Sequence, residues 1–244
     1  MQKTIVKKHP LAIRWLHWIN FPLLAIMIWS GMLIYWANDV YKIQVGDKVI
    51  YKFFSEGFYK KLDVGHRLAE GMSLHFFFMW FFLINGLAYF IYLMVSKQYK
   101  LIFPNRKSLK ESFLVVLHDL HIKKGLPPQK KYNAAQRIAY TMVIVMGLFM
   151  IMTGLAIYKP VQLHWLTAIC GGYEWARGEH FIITLLFLLF FAVHIVQVII
   201  AGWNNFQSMV TGFEVKKILP PANEENVHPE PPADSIIPNI PINE

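Results

Sequence analysis

Apolar residues along this 244-residue chain come in four long, unbroken runs. A helix needs about 20 such residues to cross roughly 30 Å of hydrocarbon. The run from Ser73 to Val95 consists almost entirely of Phe, Trp, Leu and Ile, without the polar face that a surface helix of a soluble protein has. The pattern therefore predicts four transmembrane helices, at about residues 15–36, 73–95, 138–158 and 180–202.

The segments between and after these runs are polar. Residues 37–72 form a long loop of mixed charge, which is a candidate docking surface. Residues 108–122 have an amphipathic pattern that suits a helix lying along the membrane surface. The tail 217–244 holds seven prolines and five acidic residues, so we expect disorder there and place the transmembrane domain at residues 1–216.

The distribution of basic residues predicts the orientation. Of 24 Lys and Arg residues, sixteen fall on one side of the predicted membrane: four up to Arg14, ten in residues 97–137 and two after the fourth helix. The other eight are accompanied by seven acidic residues. The apolar runs predict an all-α, multi-pass membrane protein, a four-helix bundle, and the positive-inside rule predicts that both of its termini are cytoplasmic. The net charge of +9 therefore suits membrane lipid, and the clustered aromatic and basic residues of nucleic-acid readers are absent.

Four histidines fall within or at the start of these apolar runs, where a polar group without a partner costs about 2.5 kcal/mol or more. They are His17, His75, His180 and His194. The last two are fourteen residues apart on one helix. Their side chains therefore point within roughly 40° of the same direction, and the two residues lie about 21 Å apart along the helix axis. One helix thus presents two imidazoles to the bundle interior, at an outer and an inner level.

Depth also predicts which histidines pair. His17 opens a helix that starts in the cytoplasm, so it pairs with His194 at the inner level, and His75 pairs with His180 at the outer level. Two bis-imidazole haem irons, without open positions, would suit electron transfer across the membrane. The single cysteine and the lack of a C-x-x-C-H motif exclude covalent haem attachment, so the predicted cofactors are two haem b. Interhelical hydrogen bonding without a cofactor is the alternative.

Two arginines lie three residues before a predicted ligand. Arg14 precedes His17 and Arg177 precedes His180, so each lies about one turn nearer the surface on a similar face. Either guanidinium is a candidate partner of a haem propionate. For Arg14, membrane topology alone is the alternative explanation.

A short internal repeat links the first and third helices. Residues 30–35, with Gly31, resemble residues 153–158, with Gly154, and both segments lie at the same predicted outer depth. The glycines either permit close helix packing or leave room for a porphyrin edge.

The histidine motifs also resemble those of a known family. They are Arg14-Trp15-Leu16-His17-Trp18, Leu74-His75-Phe76 and Arg177-Gly178-Glu179-His180-Phe181 with His194. Across about residues 10–213 the chain is similar to the cytochrome b subunits of membrane-bound nickel-iron hydrogenases, formate dehydrogenases and related molybdoenzymes, within the bacterial b561-type cytochromes. The resemblance implies a location in the bacterial cytoplasmic (inner) membrane, two b haems and a quinone site near the cytoplasmic haem. It also implies an outer partner, a molybdoenzyme or hydrogenase reached directly or through an electron-transfer subunit.

A closer resemblance rests on residues 132–137 and 158–163. These segments are similar to the group labelled thiosulfate reductase cytochrome b subunit, whose members resemble partners of sulfite-oxidase-type molybdenum proteins. The label leaves the partner's substrate open.

The predicted cytoplasmic surface helix carries candidate quinone-site residues. His118, Asp119 and His121 could exchange protons with a quinone head group near the inner haem. A solvated polar face is the alternative.

Three functions are consistent with these patterns. The first is an electron-transfer subunit between the quinone pool and an outer redox protein. The second is a stand-alone b561-type quinone oxidoreductase that acts on a small species such as superoxide. The third is a cofactor-free transporter or anchor.

Overall fold

A computed structural model describes residues 2–37, 42–45, 48–52, 54–119, 122 and 132–218. The predicted tail, from residue 219 onward, and His121 lie outside these residues, and so does most of the 120–131 connection. Asp119 is the last residue of a described helix, but its side chain is outside the described part.

The described chain contains four helices long and apolar enough to cross a membrane. They are α1 (Leu11–Ala37), α3 (Leu68–Val95), α6 (Ala134–Tyr158) and α8 (Tyr173–Ala201). Large apolar side chains such as Phe77, Ile84 and Ile199 point outward, as in a protein whose surroundings are lipid. The predicted four-helix transmembrane fold is confirmed.

Each of these helices begins four to seven residues before its predicted start, whereas the ends agree within one residue. A charged residue lies near the start of each helix, so a search for apolar runs begins after it; these residues are Arg14, Glu70, Arg137 and Glu179. At α6 the start is fixed by a capping box: Asn133 Oδ1 accepts from the Gln136 backbone N–H at 2.8 Å, and Gln136 Oε1 accepts from the Asn133 N–H at 3.1 Å.

The four helices pack as two antiparallel pairs, α1 with α3 and α6 with α8. In the first pair Gly71 is buried so closely against α1 that a Cβ there would lie 2.9 Å from Leu33 Cβ and 3.0 Å from the Ser30 carbonyl oxygen. Asn85 Nδ2 donates to the Leu16 carbonyl and to Asn20 Oδ1, both at 3.3 Å. Small residues and interhelical hydrogen bonds of this kind hold membrane helices together.

Shorter elements cover the two ends of the bundle. We call the end at which α1 begins and α8 ends the inner end. It carries β1 (Gln2–Lys7), α4 (Tyr99–Ile102), α5 (Ser108–Asp119), α9 (Trp203–Thr211) and β4 (Phe213–Ile218). The outer end carries β2 (Lys42–Val45), β3 (Lys48–Lys52), α2 (Glu56–Leu62) and α7 (His164–Ile169).

Strands β1 and β4 pair antiparallel, from Gln2 opposite Ile218 to Lys7 opposite Phe213. Lys8 Nζ adds an ion pair to Glu214 and a hydrogen bond to Asn205, both at 2.8 Å. Residues 2–7 and 213–218 therefore lie together, and β4 runs two residues past the predicted domain boundary at residue 216. The strands were not predicted because each is six residues or fewer and lies outside the apolar runs.

A buried apolar cluster closes the outer end. The Tyr35 and Phe181 rings stack with centroids 4.5 Å apart, joining α1 to α8. The Trp36 ring packs against the rings of Phe54 and Phe58, with centroids 5.6 and 5.3 Å away. Val64 completes the buried part of this cluster.

The contact at Gly71 predicts that Gly71→Ala destabilises the protein. The added methyl group would meet the α1 backbone, so the pair must move apart, at a cost of about 1–3 kcal/mol. Thermal unfolding in detergent measures this loss. Gly86→Ala is the matched control, because a Cβ there meets nothing within 4 Å, and it should be neutral or slightly stabilising. Equal melting temperatures for the two variants would contradict the packing argument.

Candidate functional site: two histidine pairs within the membrane helices

The structure brings the four membrane histidines together in two pairs. The rings of His17 on α1 and His194 on α8 have centroids 6.2 Å apart, at an interplanar angle of 60°. The rings of His75 on α3 and His180 on α8 are also 6.2 Å apart, at 74°. These are the partners that depth and helical phase predicted.

The two pairs lie at two depths. Helix α8 supplies one ring to each pair, and fourteen residues of α-helix correspond to a rise of about 21 Å. The His75–His180 pair is at the outer level, and the His17–His194 pair is at the inner level beside α9.

The spacing of the rings suits one metal ion per pair. Two imidazoles that bind one ion by bonds of about 2 Å have ring centres roughly 6 Å apart. No group of three or more His, Cys, Asp or Glu residues in the described ranges could hold a bare metal ion. A pair of histidines therefore suits an iron whose remaining ligands come from a porphyrin.

A cavity of about 570 Å³ adjoins the outer pair. It lies between the two helix pairs and is lined by residues of all four membrane helices. The lining residues include His75, His180, Gly31, Gly154 and Arg177. Its volume is within the usual range for cofactor and ligand sites, ~300–1,000 Å³. Its lining is mostly apolar, which suits the hydrophobic body of a porphyrin.

The two glycines of the internal repeat each lie against an outer histidine. A Cβ on Gly31 would be 3.3 Å from His75 Cε1, and a Cβ on Gly154 would be 3.3 Å from His180 Cε1. Their missing side chains leave room for the imidazole rings themselves. A serine and a threonine precede them, and Ser30 Oγ lies 3.0 Å from His75 Nδ1 while Thr153 Oγ1 lies 2.9 Å from His180 Nδ1.

The inner pair has different neighbours. Trp18 packs edge-on against His17 at 5.3 Å, and Phe190 stacks on His194 at 5.9 Å. The His17 Nδ1 atom is buried and has no hydrogen-bond partner among the described residues. The inner pair is therefore held by aromatic packing, whereas hydroxyl groups contact the outer pair.

A family model described as prokaryotic cytochrome b561 matches residues 8–212, a range that contains all four membrane helices and all four histidines. The chain belongs to the prokaryotic cytochrome b561 family. This confirms the predicted resemblance, and members of the family are membrane cytochromes that bind haem b. A relative from Azospira oryzae, strain ATCC BAA-33, is 31% identical over 199 residues, which cover 81% of this chain and 93% of the relative. That relative carries the name protein-methionine-sulfoxide reductase subunit YedZ1.

The two candidate propionate partners in this b561-type cytochrome have different surroundings. Arg177 lines the outer cavity, pairs with Glu174 at 3.5 Å, and lies 5.6 Å from the centre of the Tyr173 ring. Arg14 Nη2 donates to the Val210 carbonyl oxygen near the end of α9. The position of Arg14 is thus accounted for by a contact between helices, while Arg177 lies at a cavity that suits a cofactor.

The candidate quinone-site residues of this b561-type cytochrome are located only in part. His118 lies half-buried near the end of α5, which packs against α6.

His66 and His164 are exposed at the outer end, and His66 pairs with Asp63 at 2.8 Å. Both side chains are therefore exposed, and neither belongs to a histidine pair within the membrane helices.

Sequence reasoning missed several polar groups of the bundle, two of which contact the outer histidines. The internal repeat contained Ser30 and Thr153, but we considered only its glycines. A second group consists of Tyr132 and Tyr140, whose rings are 5.3 Å apart, and Tyr89, which interacts electrostatically with both. Burial raises the pKa of Tyr132, so its hydroxyl group stays protonated. Nothing in the sequence distinguished these tyrosines from aromatic residues that face lipid.

Proposed function

We propose that this cytochrome carries two haem b groups and passes electrons between the quinone pool and a redox protein at its outer end. The observation that carries the proposal is the presence of two imidazole pairs, each with a 6.2 Å ring spacing, at two depths of one bundle. When bound, haem b supplies one-electron transfer at an iron that has no open position. The four histidines would be the axial ligands, His17 with His194 and His75 with His180.

The residues around each pair support its assignment. At the outer level, a mostly apolar cavity, two glycines against the rings and the Arg177 guanidinium offer space and charge complementarity for a porphyrin with propionates. At the inner level, the His17 Nδ1 atom is buried without a hydrogen-bond partner among the described residues, and Trp18 and Phe190 pack against the two imidazole rings. Arg14 remains the candidate propionate partner there.

We further propose that electrons run from a quinol at the inner end to an outer reductase. The relative's name assigns it to a protein-methionine-sulfoxide reductase, an enzyme that consumes electrons. The predicted outer partner, a molybdoenzyme or hydrogenase, would dock on the surface formed by α2, α7 and the strands β2 and β3. A molybdoenzyme reductase fits both the relative and the predicted resemblance.

A quinol at the inner end needs a group that accepts its protons. We propose that His118 is that group, because it lies on α5 at the inner end and a neutral imidazole can accept a proton. Asp119 and His121 are the other predicted members of the same site.

Single ligand substitutions should divide the histidine variants into two classes. His75→Ala and His180→Ala should remove the same haem, because a non-covalent porphyrin that loses one of two imidazoles is held poorly. His17→Ala and His194→Ala should remove the other haem. Haem content and low-temperature absorbance spectra of the purified variants measure this, with about half of the haem lost in each case.

His66→Ala and His164→Ala are the controls for this series, since both side chains are exposed at the outer end. They should keep both haems. Loss of different haems from the His75 and His180 variants would contradict the proposed pairing.

His118→Ala should slow the reduction of the haems by a short-chain quinol about tenfold or more, through loss of the proton acceptor. Stopped-flow absorbance of the protein in liposomes follows this rate, while reduction by dithionite should remain unchanged. His164→Ala, at the opposite end, should behave as the unaltered protein. Equal quinol rates in all three proteins would exclude His118 from the quinone site.

A further inference from the structure

The hydroxyl groups of Ser30 and Thr153 have the same two contacts. Ser30 Oγ lies 2.7 Å from the Ile26 carbonyl oxygen and 3.0 Å from His75 Nδ1. Thr153 Oγ1 lies 2.8 Å from the Phe149 carbonyl oxygen and 2.9 Å from His180 Nδ1. Each hydroxyl group thus bridges a carbonyl four residues back on its own helix and an imidazole on the neighbouring helix.

This geometry suits one position of the imidazole proton. A hydroxyl group has one hydrogen, and each of these hydroxyl groups lies within donating distance of a carbonyl oxygen, which can only accept. When the hydroxyl donates to the carbonyl, its oxygen accepts from the imidazole and the ring proton is on Nδ1. The lone pair of the neutral imidazole is then on Nε2, and this is the nitrogen that can bind a metal.

The glycine after each hydroxyl residue restricts the ring further. Gly31 and Gly154 allow each imidazole to approach the helix backbone, with Cε1 at 3.3 Å from the position of the missing Cβ. The hydroxyl groups are almost completely buried, with 0% of Ser30 and 1% of Thr153 exposed. Each outer imidazole is therefore held by a hydrogen bond at Nδ1 and by the backbone beside Cε1.

We propose that Ser30 and Thr153 are positioning residues for the outer haem. They hold His75 and His180 in the Nδ1–H tautomer and keep Nε2 directed to the iron. The same hydrogen bonds make both imidazoles more basic, and stronger electron donation to the iron lowers its reduction potential. At the inner haem, no such hydrogen bond would set the tautomer of His17, because its Nδ1 has no hydrogen-bond partner among the described residues. This inference rests on the proposed outer ligands, and it adds the residues that set their protonation and orientation.

The simpler explanation is that the two hydroxyl groups only satisfy their own helices. Serine and threonine often donate to the carbonyl four residues back in membrane helices, without any cofactor. On that explanation, removal of the hydroxyl group would change stability alone and would leave the properties of a bound haem unchanged.

Redox titration of the full-length protein in detergent separates these explanations. Thr153→Val removes the hydroxyl group and keeps the shape of the side chain, and Thr153→Ser keeps the hydroxyl group. With Val, we expect the midpoint potential of the outer haem to rise and its affinity to fall about tenfold or more, while the potential of the inner haem is unchanged. With Ser, both properties of the outer haem should return toward those of the unaltered protein.

Thr141→Val is the matched control, because Thr141 lies on the same helix and its hydroxyl bonds to the Ile102 carbonyl instead of a histidine. It should leave both potentials unchanged. Ser30→Ala provides an independent test on α1 if Thr153→Val does not fold, and it should also raise the potential of the outer haem.

An outer haem whose potential and affinity do not change in Thr153→Val and Ser30→Ala would overturn this inference and leave the proposed function intact. A shift of equal size in Thr141→Val would also overturn it. An unaltered protein that binds no haem would contradict the proposed function itself, and this inference with it.

Discussion

The arrangement of this bundle depends on the need to satisfy four imidazoles in surroundings without water. A polar group in hydrocarbon costs about 2.5 kcal/mol or more when it has no partner, so each ring must face the interior. The helices meet this constraint by packing as two pairs, α1 with α3 and α6 with α8, with the outer cavity between them. Each outer imidazole has a hydrogen bond to a hydroxyl group on the other helix of its own helix pair. Its second nitrogen can therefore bind a ligand in the space between the two helix pairs.

The two helix pairs repeat each other at the outer level and differ at the inner level. His17 and Tyr140 are separated by the same number of residues as Ser30 and Thr153, so they are equivalent positions of α1 and α6. In the same way, Tyr89 and His194 are equivalent positions of α3 and α8, with the same separation as His75 and His180. At the outer level, equivalent positions therefore hold two histidines. At the inner level, α1 and α8 hold histidines, whereas the equivalent positions on α6 and α3 hold tyrosines, so the repeat offers a single bis-histidine site at each depth.

The sequence predicted the features that follow from hydropathy and helical geometry. Four apolar runs predicted the helices, and the fourteen-residue spacing of His180 and His194 predicted two levels and the correct neighbours. It did not predict that Asn133 and Gln136 start α6 earlier, because capping depends on a few polar residues. It also did not predict the strands at both ends, whose short segments pair only after the membrane helices bring them together. The roles of Ser30 and Thr153 could not be inferred because they depend on which face of α3 and α8 meets each hydroxyl group.

The central claim is that each histidine pair holds one haem b, and the haem content of the purified chain tests it most directly. A pyridine haemochrome assay in detergent, referred to protein concentration by amino-acid analysis, should give about two haem b per chain. Electron paramagnetic resonance of the oxidised protein should show two low-spin ferric signals, as expected for irons with two imidazole ligands. A content near one haem per chain, or a high-spin signal equal to one haem, would contradict the claim.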